Sequence, residues 1–163
     1  MSALPPPIRH RIATPFGRDL LIVGNGEAIV ASDFVAPRRT RDPKPSDALL
    51  AEASAQVRAY FARRLRRFDL PLSFAGTALQ RDAWRAVAAL AFGEFVSYAD
   101  VARAIGRPLS HRGVAAAMSL APLDLFVPAH RVVGADGRIK GARAGSMRVR
   151  LARFEGFRAA VTP

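Results

Sequence analysis

Apolar residues recur along this chain at two different periods. Between Ile12 and Phe34 they fall in short runs broken by turn residues, which predicts two or three short strands. Thr14-Pro15-Phe16-Gly17 punctuates the start, Leu20–Val23 is a buried strand run, Gly24-Asn25-Gly26 a hairpin turn and Ala28–Ala31 the returning strand. A polar loop, Ala36–Ser46, follows with Arg38, Arg39, Arg41 and three prolines. Leu49, Leu50, Ala53, Val57, Tyr60, Phe61 and Leu65 then repeat at helical spacing, predicting a helix capped by Asp47 and running to about Arg66. Arg63, Arg64, Arg66 and Arg67 gather at its expected C-terminal end, where cations suit the helix dipole. Phe68–Leu72 reads as a short strand leading into a linker.

After Gly76 the pattern turns helical. Thr77 precedes a helix over about 78–91, with Leu79, Trp84, Val87, Ala88 and Ala91 on its apolar face. Ser97 and Asp100 have capping-box spacing and open a second helix to Ile105. Gly106–Leu109 is a turn, and Ser110 is the expected cap of a third helix from His111 to about Leu120. Two short helices around a Gly-containing turn form a helix-turn-helix with the last as recognition helix, although many helical hairpins bind nothing. The expected domains are 1–75 and 76–163.

Composition sharpens the picture. The 163 residues carry 25 Lys and Arg against 13 Asp and Glu, a net charge of +12. Lysine stands only at Lys44 and Lys140, so the excess is arginine, whose planar fork suits phosphates and base edges. A domain this basic attracts a polyanion, most often nucleic acid. No apolar run approaches the ~20 residues of a membrane span, and no signal peptide is evident, so a cytoplasmic protein is expected, nucleoid-associated if bacterial. The chain has no cysteine, which excludes disulfides, thiolate metal sites and any thiol nucleophile. His10, His111 and His130 are scattered without ligand spacing, and no phosphate-cradling glycine loop is present, so neither a metal nor another cofactor is expected.

The stretch Phe92-Gly93-Glu94-Phe95-Val96-Ser97-Tyr98, then Arg112-Gly113-Val114-Ala115-Ala116-Ala117-Met118, then Val127-Pro128-Ala129-His130-Arg131-Val132-Val133 resembles the O6-alkylguanine-DNA alkyltransferase family. Glu155-Gly156 and Gly76-Thr77-Ala78-Leu79-Gln80 with Trp84 fit the same pattern. The resemblance implies an α/β ribonuclease-H-like N-terminal domain and a mainly α, winged-helix-like C-terminal domain. It implies entry by the minor groove of duplex DNA, rotation of an O6-alkylated guanine into a pocket, and alkyl transfer to a cysteine in Pro-Cys-His-Arg. A monomer is also implied.

Carried onto this chain, the resemblance makes Arg112 the finger that fills the gap left by the extruded base. It makes Tyr98 a contact of that base and Ser110 a DNA contact, while Gly113, Ala115, Ala116 and Ala117 leave the recognition helix little side-chain bulk, so that its backbone can approach a narrow groove. Pro128, Ala129, Arg131, Val132 and Ala142 would line the base pocket, with Arg131 supporting the loop and Val132-Val133 a buried strand. His130 and Glu155 match the pair that deprotonates the thiol, but Ala129 stands at the acceptor position. Read without the family, Arg112 is a phosphate contact or a solvated helix residue, and Tyr98 a core aromatic.

Two further departures accompany Ala129. Ala121-Pro122 stands where the family has Asn-Pro, and Ala142 where it has a pocket tyrosine; Ala144-Gly145 breaks the following glycine pair. Loss of acceptor, brace and pocket residue together is similar to the alkyltransferase-like proteins, which bind alkylated guanine and pass the lesion to nucleotide-excision repair. Most of those carry Trp at the acceptor position and lack the N-terminal domain. Three readings stay open: a lesion-binding protein without transfer, an alkyltransferase inactivated by a Cys-to-Ala replacement at 129, and a helix-turn-helix DNA-binding module without lesion preference.

Overall fold

Strands β1 (Ile8–Ala13), β2 (Asp19–Gly24) and β3 (Ile29–Val35) form an antiparallel sheet in that order, in a computed structural model that describes residues 5–139, 143 and 145–158. Alternation puts Ile12, Leu20 and Ile22 in the core, where Ile12 lies opposite Leu20 and His10 opposite Ile22. β1 begins four residues before the apolar pattern suggested, because Ile8 and Arg9 still find partners in Gly24 and Val23. At the β2–β3 turn Asn25 Oδ1 accepts from the Glu27 and Ala28 amides, and Gly26 takes φ +90°.

Helix α1 (Ala48–Phe61) packs on β1 and β2 through Leu50, Ala53, Val57 and Tyr60, and Asp47 caps it by accepting from the Leu50 amide. It stops about five residues short of the expected end. Arg63 adopts φ +59°, the Arg63 amide donates to the Tyr60 carbonyl and the Arg64 amide to that of Ala59. This is a Schellman ending with arginine in the place usually taken by glycine. The arginine cluster therefore follows the helix instead of forming its last turn. Phe68–Leu72 is likewise less regular than expected: Leu72 alone bridges to Ile29, flanked by the Ile29 amide on the Pro71 carbonyl and the Ser73 amide on that of Ile29.

The described residues up to Phe74 form one compact unit together with Pro122–Phe126. Within it the Ser32 amide donates to the Pro122 carbonyl, the Asp124 amide to that of Ser32, and Ser32 Oγ to that of Asp124 at 2.7 Å. Phe126 meets Phe68 edge to face. These bonds hold Leu125, buried, at φ +72°, a left-handed conformation that costs a leucine about 1–2 kcal/mol.

The second unit holds Ala75–Ala121 and the described residues from Val127. Its elements are α2 (Ala78–Ala88), β4 (Val96–Ser97), α3 (Tyr98–Ala104), α4 (His111–Ser119), β5 (Val132–Val133) and α5 (Met147–Phe154). Two capping boxes start its first helices: Thr77 with Gln80 on α2 and Ser97 with Asp100 on α3. α4 packs on α2 and α3, and Trp84 Nε1 donates at 2.9 Å to the Ala117 carbonyl, which also accepts from the Leu120 amide at the end of α4. β4 and β5 pair in parallel, Val96 opposite Val132. No hairpin wing is present among the described residues. No helix among them is long and apolar enough to cross a membrane.

Thr77→Ala removes one half of the α2 capping box and is expected to lower stability by about 1 kcal/mol. Urea unfolding followed by the fluorescence of Trp84, the only tryptophan of the chain, measures it; an unchanged midpoint would contradict the capping role.

Candidate functional site

Pro128 has φ −77° and ψ 71°, the geometry of an inverse γ-turn, and the Ala129 amide closes it on the Val127 carbonyl at 2.8 Å. Proline suits the position because its ring already fixes that φ. The chain then makes one 3₁₀ turn, Ala129–Arg131, with the Arg131 amide on the Pro128 carbonyl and the Val132 amide on that of Ala129, before entering β5. Ala129, His130, Arg131 and Val132 are all buried. Tyr98 follows Ser97, whose strand partner is Val133, so the first turn of α3 lies beside the end of β5. Its side chain is buried as well.

The turn is tied to the end of α5. His130 Nε2 bonds Glu155 Oε2, Arg131 Nε donates to Glu155 Oε1 at 2.7 Å, and the Gly93 amide donates to the same oxygen at 2.9 Å. Arg131 Nη1 also reaches the Leu90 carbonyl at 2.6 Å. The Arg131 guanidinium thus bonds both Glu155 and the loop after α2. Gly93 and Leu90 were not among the expected site residues. The available signal for Gly93 was a glycine just beyond an amphipathic helix, and it takes φ +77° there.

Burial pushes the Glu155 carboxyl up, but the His130 hydrogen bond and charge, with the Arg131 charge beside them, bring it down to about 2. Burial also holds the His130 imidazole below its usual range; Glu155 opposes this, while Arg131 and Arg148 reinforce it. The pair is therefore a carboxylate facing a neutral imidazole. With Nε2–H donating to Glu155, Nδ1 is left as the ring's acceptor. Beside it at position 129 stands a methyl group.

On α4, His111, Arg112, Ala116 and Ser119 are exposed and Ala115 is half-buried, whereas Val114, Ala117 and Met118 are buried. Gly113 does not add to the outward face: a Cβ there would stand 3.1 Å from Leu79 Cδ2, so its bareness lets α4 approach α2. Ala117 likewise faces inward. Ser110 makes no side-chain cap, because its ψ of 25° departs from the extended backbone of a capping residue; its amide instead closes the preceding turn on the Arg107 carbonyl. At the far end of α4, Ala121 offers no side-chain brace, and the Met118 carbonyl accepts from Arg148 on α5. Ala142 and Ala144 lie outside the described residues. Among the described residues no group of three His, Asp or Glu is placed to hold a metal ion. The structure joins His130, Arg131 and Glu155 into one network, and Arg112, on α4, takes no part in those bonds.

Glu155→Gln leaves the Arg131 guanidinium buried without its counter-charge and is expected to cost about 3–5 kcal/mol near neutral pH. Because the native carboxyl ionises below its ordinary 4.5, its contribution is present above that pH and lost as pH falls toward about 2. His130, also lowered, adds a loss that begins below its ordinary 6.5, where the unfolded chain takes up protons first. Urea midpoints at about pH 7 and about pH 3 should therefore differ more for the native chain than for the Gln variant. Equal differences would exclude Glu155 from the acid response.

Residues 8–74 match the family described as "6-O-methylguanine DNA methyltransferase, ribonuclease-like domain", and residues 78–156 that described as "6-O-methylguanine DNA methyltransferase, DNA binding domain". The methylated-DNA–protein-cysteine methyltransferase of Methanosarcina barkeri is 34% identical over 139 residues, 82% of this chain and 87% of that protein. The Mycobacterium tuberculosis O6-methylguanine methyltransferase superposes with a TM-score of 0.77 at 30% identity, covering 92% of this chain and 93% of that one. The same organism's enzyme solved in complex with DNA gives 0.75 at 31% identity, over 90% and 91%. Matched in both domains and along four-fifths of its length, this chain belongs to the O6-alkylguanine-DNA alkyltransferase family, as a member without cysteine.

Proposed function

We propose that this protein binds duplex DNA through the minor groove, turns an O6-alkylated guanine out of the stack, and holds it without accepting its alkyl group. The observation that carries the reading is Ala129 on the 3₁₀ turn beside His130, in a chain with no cysteine at all. Transfer requires a nucleophile with a lone pair to attack the alkyl carbon, and the alanine methyl has none. A neutral imidazole at His130 has no thiol to deprotonate.

Binding asks for less. Extrusion of a base costs a few kcal/mol of stacking and pairing, which a replacement group in the duplex and contacts to the flipped base offset. Exposed Arg112 on α4 supplies the replacement group, and the small exposed Ala116 beside it keeps that face slim enough for a narrow groove. The net charge of +12 supplies attraction to the phosphates. Tyr98, Pro128, Ala129 and Val132 are the described candidates for the base pocket. With alanine at the acceptor position the pocket is roomier, so bulky O6 adducts should be tolerated. A lesion held without transfer remains in the DNA for another route, of which excision repair is the fitting class.

A duplex with one O6-methylguanine is expected to bind about tenfold or more tighter than its unmodified counterpart at each of several matched salt concentrations, with the protein mass unchanged afterwards. Equal affinities would rule the reading out. Arg112→Ala should weaken lesion binding by about tenfold while affecting the unmodified duplex far less; equal losses would reduce Arg112 to a phosphate contact and favour a DNA-binding module without lesion preference.

The intact His130–Glu155 pair favours a second reading, an alkyltransferase silenced by a single replacement. Ala129→Cys separates the two. Little or no methyl gain by mass spectrometry is expected from a lesion-binding protein that has also lost the brace at 121, whereas full stoichiometric transfer would establish the second reading.

A further inference from the structure

The N-terminal unit carries a cleft of about 340 Å³ between β1, the start of β2, the loop after β3 and α1, within the size range of small-ligand sites. Five cations line it, Arg11, Arg38, Arg41, Lys44 and Arg58, against two carboxylates, Asp19 and Asp42. Such an excess of like charge around a concavity focuses the field and attracts anions.

The two carboxylates serve mainly to fix the walls. Asp42 Oδ2 accepts from the Arg11 amide at 3.0 Å, and Asp19 Oδ2 from the Arg38 amide at 3.0 Å, which pins the loop to the sheet at both points. Arg11 is held in turn, its Nη1 donating to the Ala36 carbonyl at 2.9 Å with Asp19 at 3.6 Å. Arg38 lies 3.9 Å from Asp42. The charges of Arg11 and Arg38 are thereby matched, and those of Arg41, Lys44 and Arg58 form the surplus. Arg58 stands on the last turn of α1 and the other two on the pinned loop, so the three come from opposite walls. The buried His10 completes the lining, and among the described residues none of the lining is Phe, Tyr or Trp, on which a base could stack.

We infer that this cleft is a phosphate-group site, taking a small polyphosphate between Arg41, Lys44 and Arg58 with no discrimination by base. The inference does not rest on lesion recognition, since every residue it uses lies in the N-terminal unit. Guanidinium forks give charge-assisted hydrogen bonds to phosphate oxygens, and the pinned loop reduces the ordering cost of forming them.

Isothermal titration of the full chain with tripolyphosphate at constant ionic strength should give one saturable site. Arg41→Gln and Arg58→Gln should each weaken it about tenfold or more, while Arg153→Gln, on α5, leaves it unchanged. Circular dichroism of these exposed-residue variants verifies that they fold. Heats that do not saturate, or an equal loss in Arg153→Gln, would overturn the site. An unmodified short duplex added as competitor identifies the source of the phosphate. Displacement that is lost in the same two variants assigns the site to a nucleic-acid strand, and the absence of displacement assigns it to a free anion.

Discussion

A carboxylate buried without solvent has to be matched charge for charge and bond for bond, and in the C-terminal unit Glu155 imposes that condition on everything around it. Its side chain is fully buried at the end of α5 and takes donors from two other stretches of chain: the Gly93 amide after α2, and the side chains of His130 and Arg131 on the 3₁₀ turn. None of these pieces is long enough to hold itself. The turn is a single 3₁₀ turn and β5 has two residues. Glu155 ties them to one another, beside the apolar contact of Val133 with Val149 and Ala152.

This gives the network a role that does not depend on catalysis. Removing Glu155 strands a guanidinium, and removing Arg131 strands a carboxylate, so the frame persists for folding even where position 129 carries no nucleophile. An intact His130–Glu155 pair is accordingly weak testimony for lost transfer activity. The identity of residue 129 bears on the chemistry far more directly, because no other side chain of the chain can supply a thiolate.

The arginines divide along similar lines. Arg131 and Arg148 are structural donors to Glu155, the Leu90 carbonyl and the Met118 carbonyl. Arg11 is built into the N-terminal unit by Asp19 and the Ala36 carbonyl. Arg112, Arg41 and Arg58 stay exposed on α4, the loop after β3 and α1. A high net charge thus conceals two populations, one neutralised inside the fold and one offered to anions.

Local chemistry in the sequence was enough to determine the elements whose signals are short-range. The Thr77 and Ser97 caps, the Asp47 cap, the Gly24-Asn25-Gly26 turn and the helical periods from Gly76 onward depend on residues within one turn of each other, and they were legible. So was the pairing of His130 with Glu155, through its likeness to a known motif. Tertiary structure decided what depends on distant partners. It ended α1 at Phe61, returned Pro122–Phe126 to the N-terminal unit, set Gly113 against Leu79 of α2, and joined Arg131 to Glu155. The physical reason is common to all four: periodicity states which residues are apolar, small or charged, but the partner that uses each property lies tens of residues away and is specified only by packing.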